Sequence, residues 1–394
     1  MQPCSHTGDR NPLFCVIPPY MLERIAENGT PQQRAWAERT LITTATLRDH
    51  RQTVAAKEVP APDTVPFAPP QGKQRSVYTA NNSSTLPGEL VRSEGGPASG
   101  DPAVDEAYDG AGETYDLFWN AFQRDSIDNA GLSLISTVHF QRSYDNAFWN
   151  GSQMVYGDGD EDLPPDQRLF NRFTISIDII GHELTHGVTQ YEANLVYSFQ
   201  PGALNEHMSD VFGSLVKQQK LGHNARSADW IIGEGLFTSN VNGVGIRSMK
   251  EPGTAYNDPV LGRDPQPGHM RDFVNTVEDN GGVHINSGIP NRAFYVAAYE
   301  LGGNAWEKAG KIWYVALSDR LSSRSSFQDA ANMTLAVAGE LYGANSLEQQ
   351  AVRKGWTEVG INLGAPPVEQ PEPSGCLPAL VSLLQVLRPA PPRK

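Results

Sequence analysis

His182, Glu183 and His186 fall within Gly181-His182-Glu183-Leu184-Thr185-His186-Gly187. On an α-helix four residues turn the chain by roughly 400°, so the two imidazoles leave one face, a turn apart. A pair at that spacing can hold one zinc ion from a single rigid element. Glu183 beside them can serve as a base toward a water that the metal activates. Two histidines and a glutamate also occur in helices that bind nothing, so the pattern needs a third ligand. Glu206 stands 20 residues after His186. Two imidazoles and one carboxylate complete a catalytic zinc set and leave the fourth position to water. Asp210, one turn past Glu206, can accept a hydrogen bond from the far ring nitrogen of a ligand histidine, fixing its tautomer. We assign it to His182. His207 points about 100° away from Glu206 and is not counted as a ligand.

These residues must be positioned by helices. Ile175-Ser176-Ile177-Asp178-Ile179-Ile180 lacks Gly and Pro and leads into the histidine helix. Helical periods then dominate, over residues 205–220, 286–301, 306–321, 326–342 and 346–359. Trp306, Trp313, Tyr314 and Phe327 recur at helical spacing and are expected in the core. Upstream, residues 76–159 show short alternating runs broken by Gly, Asn and Pro, such as Leu134-Ile135-Ser136-Thr137-Val138-His139-Phe140 and Met154-Val155-Tyr156. These are strand signals, and His139 is expected as a packed or edge residue. The fold class is therefore α+β, a strand-rich first lobe and a helical second lobe with the zinc helix between them.

The N-terminal 13–50 stretch reads as a compact helical unit. Pro18-Pro19 interrupts any earlier helix, one helix begins at Tyr20, and a second over 31–47 sets Ala35, Leu41, Ile42 and Ala45 near one face. Residues 59–74 are Pro-rich and read as an extended linker open to proteolysis. Residues 365–394 run Pro-rich, apolar, then basic, and read as an appended tail.

The formal charge of −14 over 394 residues argues against nucleic acid, which needs clustered Lys and Arg. Residues 1–57 carry seven Lys/Arg against five Asp/Glu, and the rest 24 against 40, so a mildly basic segment precedes an acidic body. The three cysteines, Cys4, Cys15 and Cys376, lie outside the catalytic region, which must rely on packing and bound ions. Residues 1–10 show no Sec-type signal, and the longest apolar run, 377–387, is about half of what a bilayer needs.

The chain resembles the thermolysin family of zinc endopeptidases. The resemblance rests on Asn146-Ala147-Phe148-Trp149-Asn150-Gly151, residues 182–189, residues 202–213, Arg247-Ser248-Met249, and Asp279-Asn280-Gly281-Gly282-Val283-His284-Ile285-Asn286-Ser287-Gly288, in order, and covers about 78–363. It implies zinc on His182, His186 and Glu206, with Glu183 moving a proton from water to the leaving amine. It also implies His284 and Tyr197 as donors to the oxyanion, with Asp279 orienting His284. Asn146, the carbonyl of Ala147 and Arg247 would hold the substrate backbone. Phe173, Ile179, Ile232, Leu236 and Ile246 would wall the S1′ pocket, giving cleavage on the amino side of bulky apolar residues.

The stretch 15–25 resembles the short propeptide of the protealysin subgroup, implying inhibition in cis until the linker is cut. A Pro18-Pro19-Tyr20 plug could fill the cleft unaided; the alternative is a Cys15 thiolate closing the metal's open position. The resulting division is propeptide 1–57, linker with activation cut 58–75, first lobe 76–190, helical lobe 191–364 and tail 365–394. The chain departs from the family at calcium. Lys217 and Ile231 stand where carboxylates are expected, leaving Asp178, Asp229 and Glu234, so one calcium at most is expected, or a Lys217 ammonium in its place. Asp178 could equally be a helix-start carboxylate. Residues 157–162 tempt as a second calcium loop but are read as a solvated acidic turn, since Leu163 occupies the position where Gly is needed. The expectation is a monomeric zinc endopeptidase zymogen acting on peptides and proteins, with no membrane or nucleic-acid partner. Family resemblance favours secretion, and the missing signal favours a non-classical exit or storage. The rival is a catalytically silent zinc or protein-binding homologue; an exopeptidase fits Asn146 and Arg247 less well.

Overall fold

The computed structural model describes residues 14–55 and 72–363. Most of the expected linker, the 365–394 tail, Cys4 and Cys376 lie outside them. The described chain opens with Phe14–Cys15 (β1), Pro19–Asn28 (α1) and Pro31–Ala55 (α2). The α2 face that packs inward is not the one expected from apolar spacing. Gln33, Trp36, Ala37, Thr40 and Thr44 are buried, while Ile42 is 52% exposed. The reason is polar docking: Gln33 Nε2 donates to Gln167 O at 2.7 Å, Thr40 Oγ1 accepts from Asp145 N at 3.2 Å, and Thr44 Oγ1 meets Tyr144 Oη at 3.1 Å. Counting hydrophobic residues cannot register a face built from Thr and Gln.

Arg75–Thr79 (β2) and Glu89–Ser93 (β3) precede a helix, Pro102–Phe122 (α3), which the strand-rich reading of 76–159 did not anticipate. Its start is well made, with Pro102 at the first turn and Asp101 accepting from Ala103 N and Val104 N. Gly110 and Gly112 inside it obscure the signal, yet both sit where neighbours press close. A Cβ on Gly110 would lie 2.3 Å from Ile180 Cδ1, and one on Gly112 2.3 Å from Arg75 Nη1. Leu134–Val138 (β4), Ala147–Trp149 (β5) and Met154–Tyr156 (β6) complete a six-stranded sheet ordered β1-β5-β6-β4-β2-β3. The pairs β2–β4 and β4–β6 are parallel; β1–β5, β5–β6 and β2–β3 are antiparallel. The N-terminal segment thus supplies an edge strand to the sheet of the body.

Ile177–Tyr191 (α4) and Phe199–Leu221 (α5) are the central pair. They cross at glycine. A Cβ on Gly181 would come 3.0 Å from Gly213 Cα, and one on Gly213 2.4 Å from Asp178 O and 2.9 Å from His182 N. Backbone atoms cannot yield as a flexible side chain can, so this contact sets how near Glu206 on α5 comes to the histidines on α4. Gly213→Ala is expected to cost about 1–3 kcal/mol of stability by overpacking and to weaken zinc binding, read by thermal unfolding and zinc titration. Unchanged zinc affinity would show that the crossing does not set the ligand spacing.

Beyond α5, the strands Ile231–Ile232 (β7) and Arg247–Ser248 (β8) pair antiparallel. The helical lobe follows as Asp279–Asn286 (α6), Gly288–Leu301 (α7), Ala309–Asp319 (α8), Phe327–Tyr342 (α9) and Leu347–Glu358 (α10). The four long periods expected here become α7 to α10, while α6 is a separate short turn of helix carrying His284. Trp313 and Phe327 are buried, Trp313 stacks on Trp356 at 6.1 Å, and Trp306 is partly buried against the core.

Candidate metal centre and catalytic site

His182 and His186 project from α4 toward Glu206 on α5, all three fully buried. His182 Nε2 and His186 Nε2 are 3.0 Å apart, and they lie 3.5 Å and 3.4 Å from Glu206 Oε2 and Oε1. The far ring nitrogens are committed elsewhere. His182 Nδ1 meets Asp210 Oδ1 at 2.8 Å and His186 Nδ1 meets Asn205 Oδ1 at 2.8 Å. Each of those oxygens accepts, so each Nδ1 carries the proton and both Nε2 lone pairs face inward. Glu206 Oε2 is buried with no hydrogen-bond partner. Two lone pairs and an unpaired carboxylate oxygen pointed at one another are repulsive unless a cation sits among them, and an N,N,O set of this kind suits zinc. Among the described residues this is the metal-binding cluster found. Burial lowers the His186 pKa to about 3, keeping it a neutral ligand. Burial pushes against ionising Glu206, but positive charge nearby, His284 foremost and Arg247 with it, outweighs it and holds it near 2.

Glu183 leaves the same helix toward β5. Its Oε2 accepts from Trp149 N at 2.9 Å, and its Oε1 is buried without a partner. Burial first, and the Glu206 charge second, raise its pKa well above the usual carboxylate range, the tuning a general base requires. His284 Nδ1 lies 2.6 Å from Asp279 Oδ1, and its backbone N donates to Asp279 Oδ2 at 2.8 Å. Burial disfavours charging His284, but Asp279 and Glu206 more than offset it and raise its pKa. Tyr197 Oη lies 3.1 Å from His284 Nε2 and donates to Glu206 Oε1.

Arg247 is fully buried, with Nε and Nη2 donating to Asp210 Oδ2 and Oδ1 at 2.9 and 2.8 Å. Asp210 therefore joins His182 to Arg247. Its Oδ2 also accepts from Asn291 Nδ2 at 2.8 Å; Asn291 Oδ1 meets His207 Nδ1 at 2.8 Å, and Trp313 Nε1 donates to His207 Nε2 at 2.8 Å. Asn205, Asn291 and the role of His207 were not anticipated. Only Asn205, next to the ligand Glu206, offered a local signal.

Residues 14–17 lie across this centre. Asn146 Oδ1 accepts from Ile17 N at 2.9 Å and its Nδ2 donates to Ile17 O at 3.2 Å. Val16 N donates to Ala147 O at 3.2 Å, Arg247 Nη1 donates to Val16 O at 3.3 Å, and His284 Nε2 meets Cys15 O at 3.1 Å. The cleft is thus filled at these groups by Cys15-Val16-Ile17, and the Pro18-Pro19-Tyr20 stretch continues from it, Pro18 buried and Tyr20 close enough to Arg247 and Asp279 to feel their charge. The thiolate alternative is corrected. The Cys15 side chain packs with Ala80, Phe140, Tyr144, Phe148 and Val155, and it does not belong to the metal-binding set. Strand alternation sends Val16 to the opposite side. There it is buried in the main core cluster, to which the buried Phe173, Ile179, Ile232, Leu236 and Ile246 also belong along with most of the molecule's core.

Residues 67–190 match the thermolysin metallopeptidase catalytic domain, residues 193–361 its alpha-helical domain, and residues 15–57 the protealysin propeptide. The chain belongs to the thermolysin family. It is 50% identical over 353 residues to an extracellular metalloprotease of Pectobacterium carotovorum subsp. carotovorum, covering 89% of this chain and 97% of that protein. It is 40% identical over 294 residues to thermolysin of Alicyclobacillus acidocaldarius, covering 72% of this chain and 50% of that one. Among solved structures, the precursor of protealysin from Serratia proteamaculans is 51% identical at a TM-score of 0.77, covering 89% of this chain and all of that one. This thermolysin-family chain is a zinc-dependent metallopeptidase carrying an N-terminal propeptide. Among the described residues no helix is long and apolar enough to cross a membrane.

Where one calcium at most was expected, Lys217 sits among the carboxylates. Its Nζ lies 3.0 Å from Asp178 Oδ2, 2.9 Å from Asp229 Oδ1 and 3.7 Å from Glu234 Oε2, and donates to Ile231 O at 2.6 Å. Asp178 sits in the first turn of α4 yet is fully buried and faces this ammonium, so dipole stabilisation alone does not describe it. The 157–162 turn also needs correction, because Asp160 is buried. Its Oδ2 accepts from Leu169 N at 2.7 Å and Phe170 N at 3.0 Å, which a residue count along the turn cannot foresee.

His139, expected as packed or edge, ends β4 with φ 53° and bridges two carboxylates, Asp158 and Asp101, each at 2.9 Å. The hydrogen bond to Asp158 leads the effects that push its pKa from 6.5 up to about 9. A histidine raised in this way stabilises the fold fully below its unfolded pKa, and the contribution is lost as pH rises through about 9. In an inactive Glu183→Gln background, His139→Gln is expected to cost about 1–2 kcal/mol at pH 6, discounted for partial exposure. Little of that cost should remain at pH 10. Equal losses at both pH values in urea unfolding would reject the charged bridge.

Proposed function

We propose that the chain is an endopeptidase zymogen that cuts on the amino side of bulky apolar residues, with Glu183 as the base, His284 and Tyr197 as oxyanion donors, and Asn146, Ala147 and Arg247 as backbone clamps. His182, His186 and Glu206 would hold zinc, which would supply Lewis acidity toward a water and a carbonyl. Glu183 then takes the water's proton and gives it to the departing nitrogen, its raised pKa suiting both transfers. His284, oriented by Asp279, which with Glu206 raises its pKa, turns Nε2 toward the place of the substrate carbonyl oxygen, where negative charge develops. The observation that carries this reading is the pro-strand itself: a peptide backbone already engages every one of these groups except Glu183 and Tyr197. The full burial of Val16 in the main apolar core supports the specificity.

Residues 1–57 act as the propeptide, 58–75 as the linker that is cut, 76–190 and 191–364 as the two lobes, and 365–394 as a tail. The enzyme acts outside the cell, as the naming of its Pectobacterium relative supports, and acts there as a monomer. A silent binding homologue would have no use for Glu183, whose unpartnered oxygen faces a buried site. The test is a peptide series varied only at P1′, assayed with the zinc-loaded protein after linker cleavage and again after chelation. Leu and Phe should exceed Asp by about 100-fold or more, and chelator should abolish cleavage until zinc is restored. Equal rates for Leu and Asp would reject the specificity, and chelator-insensitive cleavage would reject the centre.

A further inference from the structure

The pro-strand does more than occupy space, because its hydrogen bonds define a register. Cys15 O is the carbonyl facing His284, whose Nε2 lies 3.1 Å from it and 3.6 Å from the ligand Glu206 Oε1. The next amide, Val16 N, is held by Ala147 O, and the next carbonyl, Val16 O, by Arg247. Asn146 then fixes both backbone groups of Ile17. The one peptide bond whose carbonyl meets the oxyanion corner, and whose nitrogen lies on the far side of it, is Cys15–Val16. Side chains agree: Val16 is buried in the main core cluster, and Cys15 belongs to the separate cluster of Phe148 and Tyr144.

We propose that the Cys15–Val16 bond is a cleavage site, the pro-strand being bound as a substrate whose P1′ residue is Val16. This inference rests on the proposed function of the same centre. Hydrolysis joins a water oxygen to the Cys15 carbonyl carbon, breaks the bond to the Val16 nitrogen and moves a water proton to that nitrogen. The products are a Cys15 carboxylate and a Val16 amine, and no other reactant is needed. Scission does not by itself free the cleft. On the Val16 side the Asn146 and Arg247 bonds persist, and α2 remains docked through Gln33, Thr40 and Thr44. The cut therefore precedes release of the pro-segment and leaves a product complex in place.

The test has one arm that reads cutting and one that reads binding. Full-length zinc-loaded protein is followed by intact mass and N-terminal sequencing, beside Glu183→Gln; a chain beginning at Val16 is expected only where Glu183 is present. In the binding arm both proteins carry Glu183→Gln, and a fluorescent peptide of residues 11–25 is the probe. The chain with its own Val16 should exclude the peptide, whereas Val16→Asp should empty its cleft and bind it at least about 10-fold more tightly, since a carboxylate is costly in an apolar pocket. Unchanged unfolding midpoints check that the variant is folded. If linker-cut enzyme digests casein yet leaves Cys15–Val16 intact in both chain and peptide, or if Val16→Asp leaves peptide binding unchanged, this proposal falls and the peptidase reading stands. If casein also survives, both fall.

Discussion

Glu183→Gln is expected to lower peptide hydrolysis by about 100- to 10,000-fold, the usual worth of a positioned proton-transfer group, with zinc content unchanged. The substitution preserves shape. A Gln carbonyl can still accept from Trp149 N, which now meets Glu183 Oε2 at 2.9 Å, and the three ligands do not include position 183. What disappears is the oxygen that is buried, unpartnered and held at a raised pKa, the one able to accept and return a proton. The loss should fall on kcat, with KM little altered, because Asn146, Arg247 and the apolar wall still bind the peptide. Metal analysis beside steady-state kinetics decides it. Retention of more than a tenth of the wild-type kcat, or a parallel loss of zinc, would remove Glu183 from the proton-transfer role.

The ligands were legible because their logic is local. His182 and His186 share a face by helical spacing, Asp210 follows Glu206 by one turn, and the structure puts each where that geometry demands. What could not be read depended on long-range packing. Asn291 reaches Asp210 from α7, and Trp313 reaches His207 from α8, pairings that no spacing along the chain encodes. α3 was hidden by Gly110 and Gly112, whose presence answers to Ile180 and Arg75 rather than to helix propensity. The docked face of α2 was misplaced because Thr40, Thr44 and Gln33 bind through hydrogen bonds, which a hydrophobic pattern ignores. That Cys15, Val16 and Ile17 share in blocking the cleft with Pro18-Pro19-Tyr20 was missed for a related cause. A strand of the length of β1 carries almost no alternation, so its register is set by β5 and Asn146 rather than by its own side chains.

Replacing Lys217 should have the largest effect on stability. Its ammonium meets two carboxylates within 3.0 Å, approaches a third at 3.7 Å, and takes the Ile231 carbonyl as well. Burial alone would lower its pKa, but Asp178 and Asp229 outweigh that and raise it, so the cation is present at any ordinary pH. Asp178 is itself fully buried at the start of the zinc helix, with Gly233 N donating to its Oδ1 at 3.3 Å. Lys217→Ala would leave that carboxylate uncompensated, and breaking a buried pair from one side costs about 3–5 kcal/mol. The oxygens left behind are hard donors of the kind calcium accepts. Millimolar calcium should therefore recover part of the loss in Lys217→Ala while leaving the parent unmoved, since its ammonium already neutralises the cage. Urea unfolding of both proteins in the Glu183→Gln background, with and without calcium, separates the outcomes. A loss below about 1 kcal/mol would make the pair a surface-like bridge, and a parent stabilised by calcium as much as the variant would mean that Lys217 does not stand in for the ion.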